Sequence, residues 1–457
     1  MSSRLRHPLG AVVAALLLTV PWVWFWASGT VESLGIGTTV FISGLAVLGA
    51  SFLLAWGAET AEKDVPQAFA IAVLAVLAVA PEYAVDALYA WNAGANAGTT
   101  QGAEAANLAV ANMTGANRIL IGIGWSAIAI FTVYKARSSN DPAVERRSGA
   151  LRDVVKLDRD ISTEIAFLLA ATAYAFFIPL STGTFNGSGS VGGIGIVDTL
   201  VLVGLYVLYI AIIIRGDVEP PEEQVGVPRY FQSYPKPRRI AVVLFLFAYS
   251  GVMIFTAVEP FAHGLEELGK AAGIPPFFMI QWIAPLASES PELIVVAYLV
   301  NKARSTAGFN ALISSKLNQW TLLIGTLAVV YSIAAGQVAT LPFDQKQIAE
   351  IWITAAQSLF AIAILTNFEI SLQEAIALLV LFLSQVIVEF GIIQLYPEGL
   401  AETYSIYVLY AYTVVYLLIG GYLFAIRRDE LRRLFRRAVG NARDAFGSSQ
   451  PRPERAD

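Results

Sequence analysis

Apolar stretches of about twenty residues, each long enough to cross a hydrocarbon core of ~30 Å as a helix, recur along the whole 457-residue chain. They lie near 9–27, 35–57, 66–92, 103–135, 162–180, 194–214, 239–260, 274–302, 305–335, 348–366, 372–394 and 403–426. Lipid supplies no hydrogen-bond partner for a bare backbone, and no alternating barrel pattern is present, so the spacing predicts an all-α polytopic membrane protein of about 12 helices. Composition agrees: 56% of residues are hydrophobic and 14% are charged, which excludes a soluble enzyme.

Thirty Lys and Arg against 35 Asp and Glu give a net charge of −5, so nothing in the balance suggests a nucleic-acid partner. The absence of Cys and the presence of only His7 and His263 leave no thiolate zinc site, cysteine nucleophile or His-based triad. No G-x-S-x-G or H-E-x-x-H constellation occurs. GLEELGKA at 264–271 nearly fits a phosphate-binding loop, but Ala271 stands at the hydroxyl position and no strand precedes it. The chain reads as a non-enzyme without a cofactor, whose partners are membrane lipid and small inorganic cations.

Basic residues set the expected orientation. Arg4 and Arg6 precede the first span, and Lys135 to Arg159 and Arg215 to Arg239 fill the loops after the fourth and sixth. Lys302 and Arg304 follow the eighth span, and the tail after 426 is rich in arginine; alternate loops offer little beyond Lys270 and Lys346. Both termini are expected in the cytoplasm, in a plasma or inner membrane. Trp22, Trp24 and Trp26 close the first span as an interfacial cluster, so it reads as a retained helix rather than a cleaved leader. The tail from 427 is expected to begin as an amphipathic helix.

Two spans are wrong for lipid. LAVAPEYAVDALYAWNAG (77–94) and IAPLASESPELIVVAYLV (283–300) each hold Pro-Glu within the helix. Proline removes an amide donor and frees the carbonyl four residues earlier, here those of Leu77 and Ala287, while the adjacent glutamate brings negative charge to the break. Hard cations take such a carboxylate-and-carbonyl shell. Helical spacing puts Glu82 with Asp86, and Glu289 with Glu292, on common faces. Four such carboxylates need cations to neutralise them, or some must carry protons. For Glu82 and Glu292 the alternative role is a structural hydrogen bond between helices; for Asp86 and Glu289 it is a place facing a water-filled vestibule or an interface.

Each Pro-Glu span is followed by a polar-studded one. The first carries Asn107, Asn112, Thr114 and Asn117, with Gly115 permitting close helix approach; the second carries Asn310, Ser314, Ser315, Lys316, Asn318 and Gln319. These side chains can supply neutral oxygen ligands or join helices. The pairing is an internal repeat: Pro81 to Gly115 is 115 − 81 = 34 positions and Pro291 to Ser314 is 314 − 291 = 23, the excess lying in a longer connection around 93–103. By the charge rule the two connections face opposite sides, so the copies are inverted, as in transporters that work by alternating access. A channel would instead predict a continuous polar stripe without inversion.

These motifs resemble the calcium:cation antiporter superfamily, which includes sodium/calcium and proton/calcium exchangers. Its G-T-S-x-P-E and G-N-x-x-G-S-N stretches are matched by LAVAPE (77–82) and ANMTGAN (111–117), and again by ASESPE (287–292) and NALISSK (310–316). The resemblance implies two inverted five-helix sets, 35–214 and 239–394, with α-repeats at 66–135 and 274–335. A cytoplasmic loop at 215–238 joins them, and an extra helix stands in 1–34 and another, with the tail, in 395–457. It implies Glu82 and Glu292 as the central metal-binding glutamates, with Asn112, Asn117, Ser288 and Ser314 as neighbouring site residues and Asp86 and Glu289 nearby. The implied activity is exchange of Ca2+ or a related cation for H+ or Na+, with monovalent sodium/proton antiport on the same fold as the alternative. Leu77-Ala78-Val79 replaces the sodium-holding hydroxyls, Glu289 replaces a serine, and Lys316 stands where the family places Asn or Asp. A fixed ammonium there would offset one negative charge; one that sheds its proton as an ion arrives would couple exchange to protons.

Overall fold

The computed structural model describes residues 8–137, 141–149, 151–180, 183–184, 190–215, 226–271 and 279–447. Arg4, Arg6, His7, residues 181–182 and 185–189 of the Gly/Ser-rich stretch 181–195, the centre of the 215–238 loop and the tail beyond 447 lie outside them. Among the described residues ten single helices and two bent helix pairs are long and apolar enough to span a membrane, and they correspond one to one with the twelve apolar stretches. An even number of spans brings the start of α1 (Pro8–Ala27) and the end of α17 (Glu398–Ile426) to one side, which also carries most Lys and Arg and is called the basic face below.

The first set comprises α2 (Ile36–Ala61), a bent span of α3 (Gln67–Ala78) and α4 (Ala80–Ala95), a long span of α5 (Thr100–Ile119) and α6 (Ser126–Lys135), then α7 (Ser162–Ala175) and α8 (Ile196–Ile213). A short helix, α9 (Val227–Gln232), lies in the connection. The second set comprises α10 (Lys236–Ala271), the bent span α11 (Ala284–Ser288) and α12 (Ser290–Asn301), the long span α13 (Ser305–Asn318) and α14 (Ile324–Ala335), then α15 (Gln345–Leu365) and α16 (Leu372–Leu395).

Helix neighbours exchange between the sets as a two-fold in the membrane plane requires. α2 packs on α10; α4 on α14 as α12 on α6; α3 on α13 as α11 on α5; α7 on α13 as α15 on α5; α8 on α14 as α16 on α6. One turn of π-helix joins the halves of each long span, at Leu120–Trp125 and Gln319–Leu323, and their starts differ by 319 − 120 = 199 positions. The extra helices sit outside this symmetry, α1 against α2, and α17 against α15 and α16. Helix α1 is fixed by Trp22, whose indole donates to Thr256 on α10, and by the hydroxyl pair Thr19 and Tyr249.

GLEELGKA lies within the continuous helix α10, as expected of a chance match. The tail forms the expected amphipathic helix, α18 (Arg428–Phe446), which packs on α7 and α8. Apolar periodicity gave no hint of a small antiparallel sheet on the basic face, where Val154–Lys156 pairs with Val144–Glu145 and with Glu369–Ser371. Strands of two or three residues are too short for an alternating pattern to register.

Candidate functional site

The two bent spans break at equivalent residues. Val79 separates α3 from α4 with a 51° bend and Glu289 separates α11 from α12 with a 53° bend, and 289 − 79 = 292 − 82 = 210. Pro81 and Pro291 therefore do not sit in mid-helix, as the sequence suggested. They occupy the first turn of the second half-helix, where the amide they lack has no intrahelical partner to lose. Glu82 and Glu292 fall in the same first turns, where free amides and the positive end of the helix dipole favour a carboxylate. The freed carbonyls differ from expectation at one place: a cap amide at the Glu289 break engages the Ala287 carbonyl.

Glu82, Asp86, Glu289 and Glu292 are all at most 2% exposed and lie close enough for their charges to act on one another, Glu82 on both Glu289 and Glu292 across the two sets. Neither oxygen of Glu82 or of Glu292 has a hydrogen-bond partner, and one oxygen of Asp86 is also bare. Ser288 lies beside Glu82, its hydroxyl donating to the Pro285 carbonyl at 3.1 Å, and Ser315 lies beside Glu292. Asn112 donates to Asp86 at 2.9 Å, and Gln319 donates to Glu289. Among the described residues no three His, Asp or Glu side chains converge on one metal-sized point, so neutral oxygens have to complete any cation shell here.

Lys316 neither snorkels nor lies outside the site. It is fully buried, 4.8 Å from the Trp320 ring centre, and donates to Asn117 at the side-chain oxygen (2.7 Å) and the carbonyl (3.1 Å). Since 316 − 117 = 199, Lys316 and Asn117 are counterparts in the two copies, and they meet where the pseudo-two-fold passes between α5 and α13. Asn117 also donates to the Met113 carbonyl at 2.8 Å, and Ser314 lies 3.4 Å from the Tyr209 hydroxyl. Gly115 is needed for the close approach: a Cβ there would stand 2.4 Å from the Gln281 carbonyl oxygen.

A second buried network lies beyond the Pro-Glu breaks; from sequence Gln357, Gln385 and Glu389 read as an accessory path or as bridges between helices, whereas Glu350 was missed. Arg118 pairs with Glu350 at 2.5 Å, contacts Gln385, and lies 4.9 Å from the Trp282 ring centre; Gln281 donates to Glu350 at 2.8 Å, and Gln385 to Glu389 at 2.8 Å. Gln357 donates to the Arg118 carbonyl at 3.3 Å and Glu389 pairs with Lys346 on α15 at 3.7 Å, so Gln357, Gln385 and Glu389 bridge helices. The signal was a lone glutamate near the start of each fourth span, Glu164 and Glu350, which reads as a helix boundary until the copies are aligned.

A bundle of two inverted sets, broken at acidic half-helix starts that meet inside it, defines a secondary transporter for cations. The profile of the sodium/calcium exchanger protein family matches residues 34–215 and 242–391, and the chain belongs to this family. It is 41% identical to the solved H+/Ca2+ exchanger CAX over 95% of this chain and 98% of that one, with a TM-score of 0.76. Structures of the sodium-calcium exchanger NCX_Mj share the fold, one at 17% identity over 77% of this chain and 98% of that one, with a TM-score of 0.53. Among the curated proteins compared with it, none matches. The protein is a cation antiporter, as the Pro-Glu motifs implied.

Proposed function

We propose that this protein exchanges Ca2+ for H+ by alternating access, with Glu82 and Glu292 as the central ligands. The observation that carries this reading is the pair of buried glutamates at facing half-helix N-termini, all four of their oxygens without a partner. Asp86 and Glu289 enlarge the negative charge, while Asn112, Ser288 and Ser314 supply neutral oxygens. Asn117 is occupied by Lys316, so it reaches the ion only when that contact opens. Protons are favoured as counter-ion by two features of this chain: Leu77-Ala78-Val79 offers no hydroxyl for sodium, and the buried Lys316 side chain lies within electrostatic reach of Glu289. Likeness to the H+/Ca2+ exchanger CAX supports the same assignment.

We assign the two transport units to 35–214 and 239–394, in keeping with the two segments that the family profile matches. The basic face is assigned to the cytoplasm, so the protein sits in the cytoplasmic membrane with both ends inside. Proteoliposomes loaded with a pH dye test the reading. A Ca2+ gradient drives proton counterflow in the wild type, and Glu82→Gln or Glu292→Gln abolishes both Ca2+ binding and flux. Proton flux unchanged by either substitution refutes the assignment.

A further inference from the structure

Alignment of the two sets exposes a carboxylate that the cation site does not use. Asp158 stands at the N-cap position of the turn that leads into α7, and Asp344 stands at that of α15, where its side chain accepts from the Gln347 amide; the helices correspond at an offset of 344 − 158 = 186, which places Glu164 opposite Glu350. Asp198 accepts from the Gly195 amide at the start of α8 as Glu374 does from the Ser371 amide at the start of α16, an offset of 374 − 198 = 176 that pairs Tyr209 with Gln385. Each set therefore carries a buried glutamate on its fourth span and a polar partner on its fifth.

Their third members differ. On the side away from the basic face, Arg118 neutralises Glu350 and ties it to Gln385. The counterpart of Arg118 is Leu317, since 317 − 118 = 199, so Glu164 has no guanidinium beside it. Glu164 is 1% exposed; one oxygen lies 3.4 Å from the Tyr209 hydroxyl and the other has no partner. Tyr209 is in turn 3.4 Å from Ser314, next to Ser315 beside Glu292. At the other end, the turn before Glu164, Asp158 to Ile161, lines a cavity of about 690 Å³ on the basic face, together with Asp141 and Asn310.

Other elements around Glu164 present Asp160 from the preceding turn, Tyr206 beside Tyr209 on α8 and Ser314 on α13. On α18, Asn441 donates to the adjacent Thr163. Among the described residues no basic side chain is paired with the carboxylate.

We propose that Glu164, Tyr209 and Ser314 form a one-sided proton relay between the cation site and the cavity on the basic face. This rests on the Ca2+/H+ reading above. A proton released from an acid of the site passes to the Ser314 oxygen as the Ser314 proton moves to Tyr209 and the Tyr209 proton moves to the Glu164 carboxylate. Glu164 then gives its proton to water in the cavity, and both hydroxyls end as they began. The matching chain on the far side is closed because Arg118 holds Glu350 as a permanent ion pair.

The test uses full-length protein in liposomes and two reactions: Ca2+-driven proton flux, and exchange of Ca2+ for 45Ca2+, which moves no proton. Glu164→Gln and Tyr209→Phe each slow proton-coupled exchange by roughly a hundredfold, whereas Ca2+ self-exchange stays within about twofold. Glu164→Asp, which keeps the acid, recovers part of the proton flux. Equal losses in both reactions, or no loss of proton flux in either variant, overturn the relay. Failure of the wild type to exchange Ca2+ for 45Ca2+ overturns the calcium assignment itself, and the relay with it.

Discussion

Replacing Arg118 by Met removes the guanidinium from a site in which both it and Glu350 are 1% exposed. Glu350 is left with one donor, the Gln281 amide at 2.8 Å, and no opposing charge at 2.5 Å. Breaking a buried pair from one side costs about 3–5 kcal/mol, because the remaining charge keeps its desolvation penalty without its partner. Loss of the stacking on Trp282 adds about 0.5–2 kcal/mol. Glu350→Gln costs a similar amount by stranding the guanidinium, which retains only Gln385 and the indole. The double variant removes both charges, so its cost falls short of the sum of the singles by about 2–3 kcal/mol. Steric-trapping unfolding in bicelles measures all three on one scale. Additive losses, or a single-variant loss below about 1 kcal/mol, refute the assignment of this pair as a buried, mutually dependent unit.

Lys316→Ala flattens the pH dependence of exchange measured in proteoliposomes, and an unchanged profile retires Lys316 from proton coupling. Gly115→Ala forces α5 away from the Gln281 carbonyl, costing about 1–3 kcal/mol of stability and lowering Ca2+ flux; detergent thermal unfolding and isotope uptake read the two effects. Asp64, in the turn between α2 and α3, is held below the usual carboxylate range by its hydrogen bonds to Arg239, at 2.6 Å from each of two nitrogens. Because its folded value is depressed, the stabilisation is fully present above its unfolded value near pH 4 and fades as pH falls through the folded one. Asp64→Asn therefore loses about 1 kcal/mol at pH 7 and nothing in strong acid, as followed by unfolding across pH.

The architecture was legible because lipid leaves few choices. A helix must be about twenty apolar residues long, and an acidic residue within one needs a reason, so the spans, the two Pro-Glu breaks and the inversion could all be read from one sequence. Glu82, Asp86, Glu289 and Glu292 stood out on the same ground. Hidden features were those whose meaning depends on a distant partner. Arg118 finds its partner, Glu350, at a distance of 350 − 118 = 232 positions along the chain, and Glu164 meets Tyr209 on a different helix, so neither role can be read from the local stretch of chain. The proline positions were found but misread: spacing marks where a helix is interrupted, and the backbone decides which half the proline begins.

The contact between Lys316 and Asn117 has a further consequence for how such a chain arises. Residues on a symmetry axis touch their own duplicates, so an ancestral pair of identical chains with lysine at this position would press two ammonium groups together in a dry interior. Asparagine against lysine becomes available only after the halves are free to diverge. A lone amine at the middle of this machine therefore requires two halves that differ in sequence at this position.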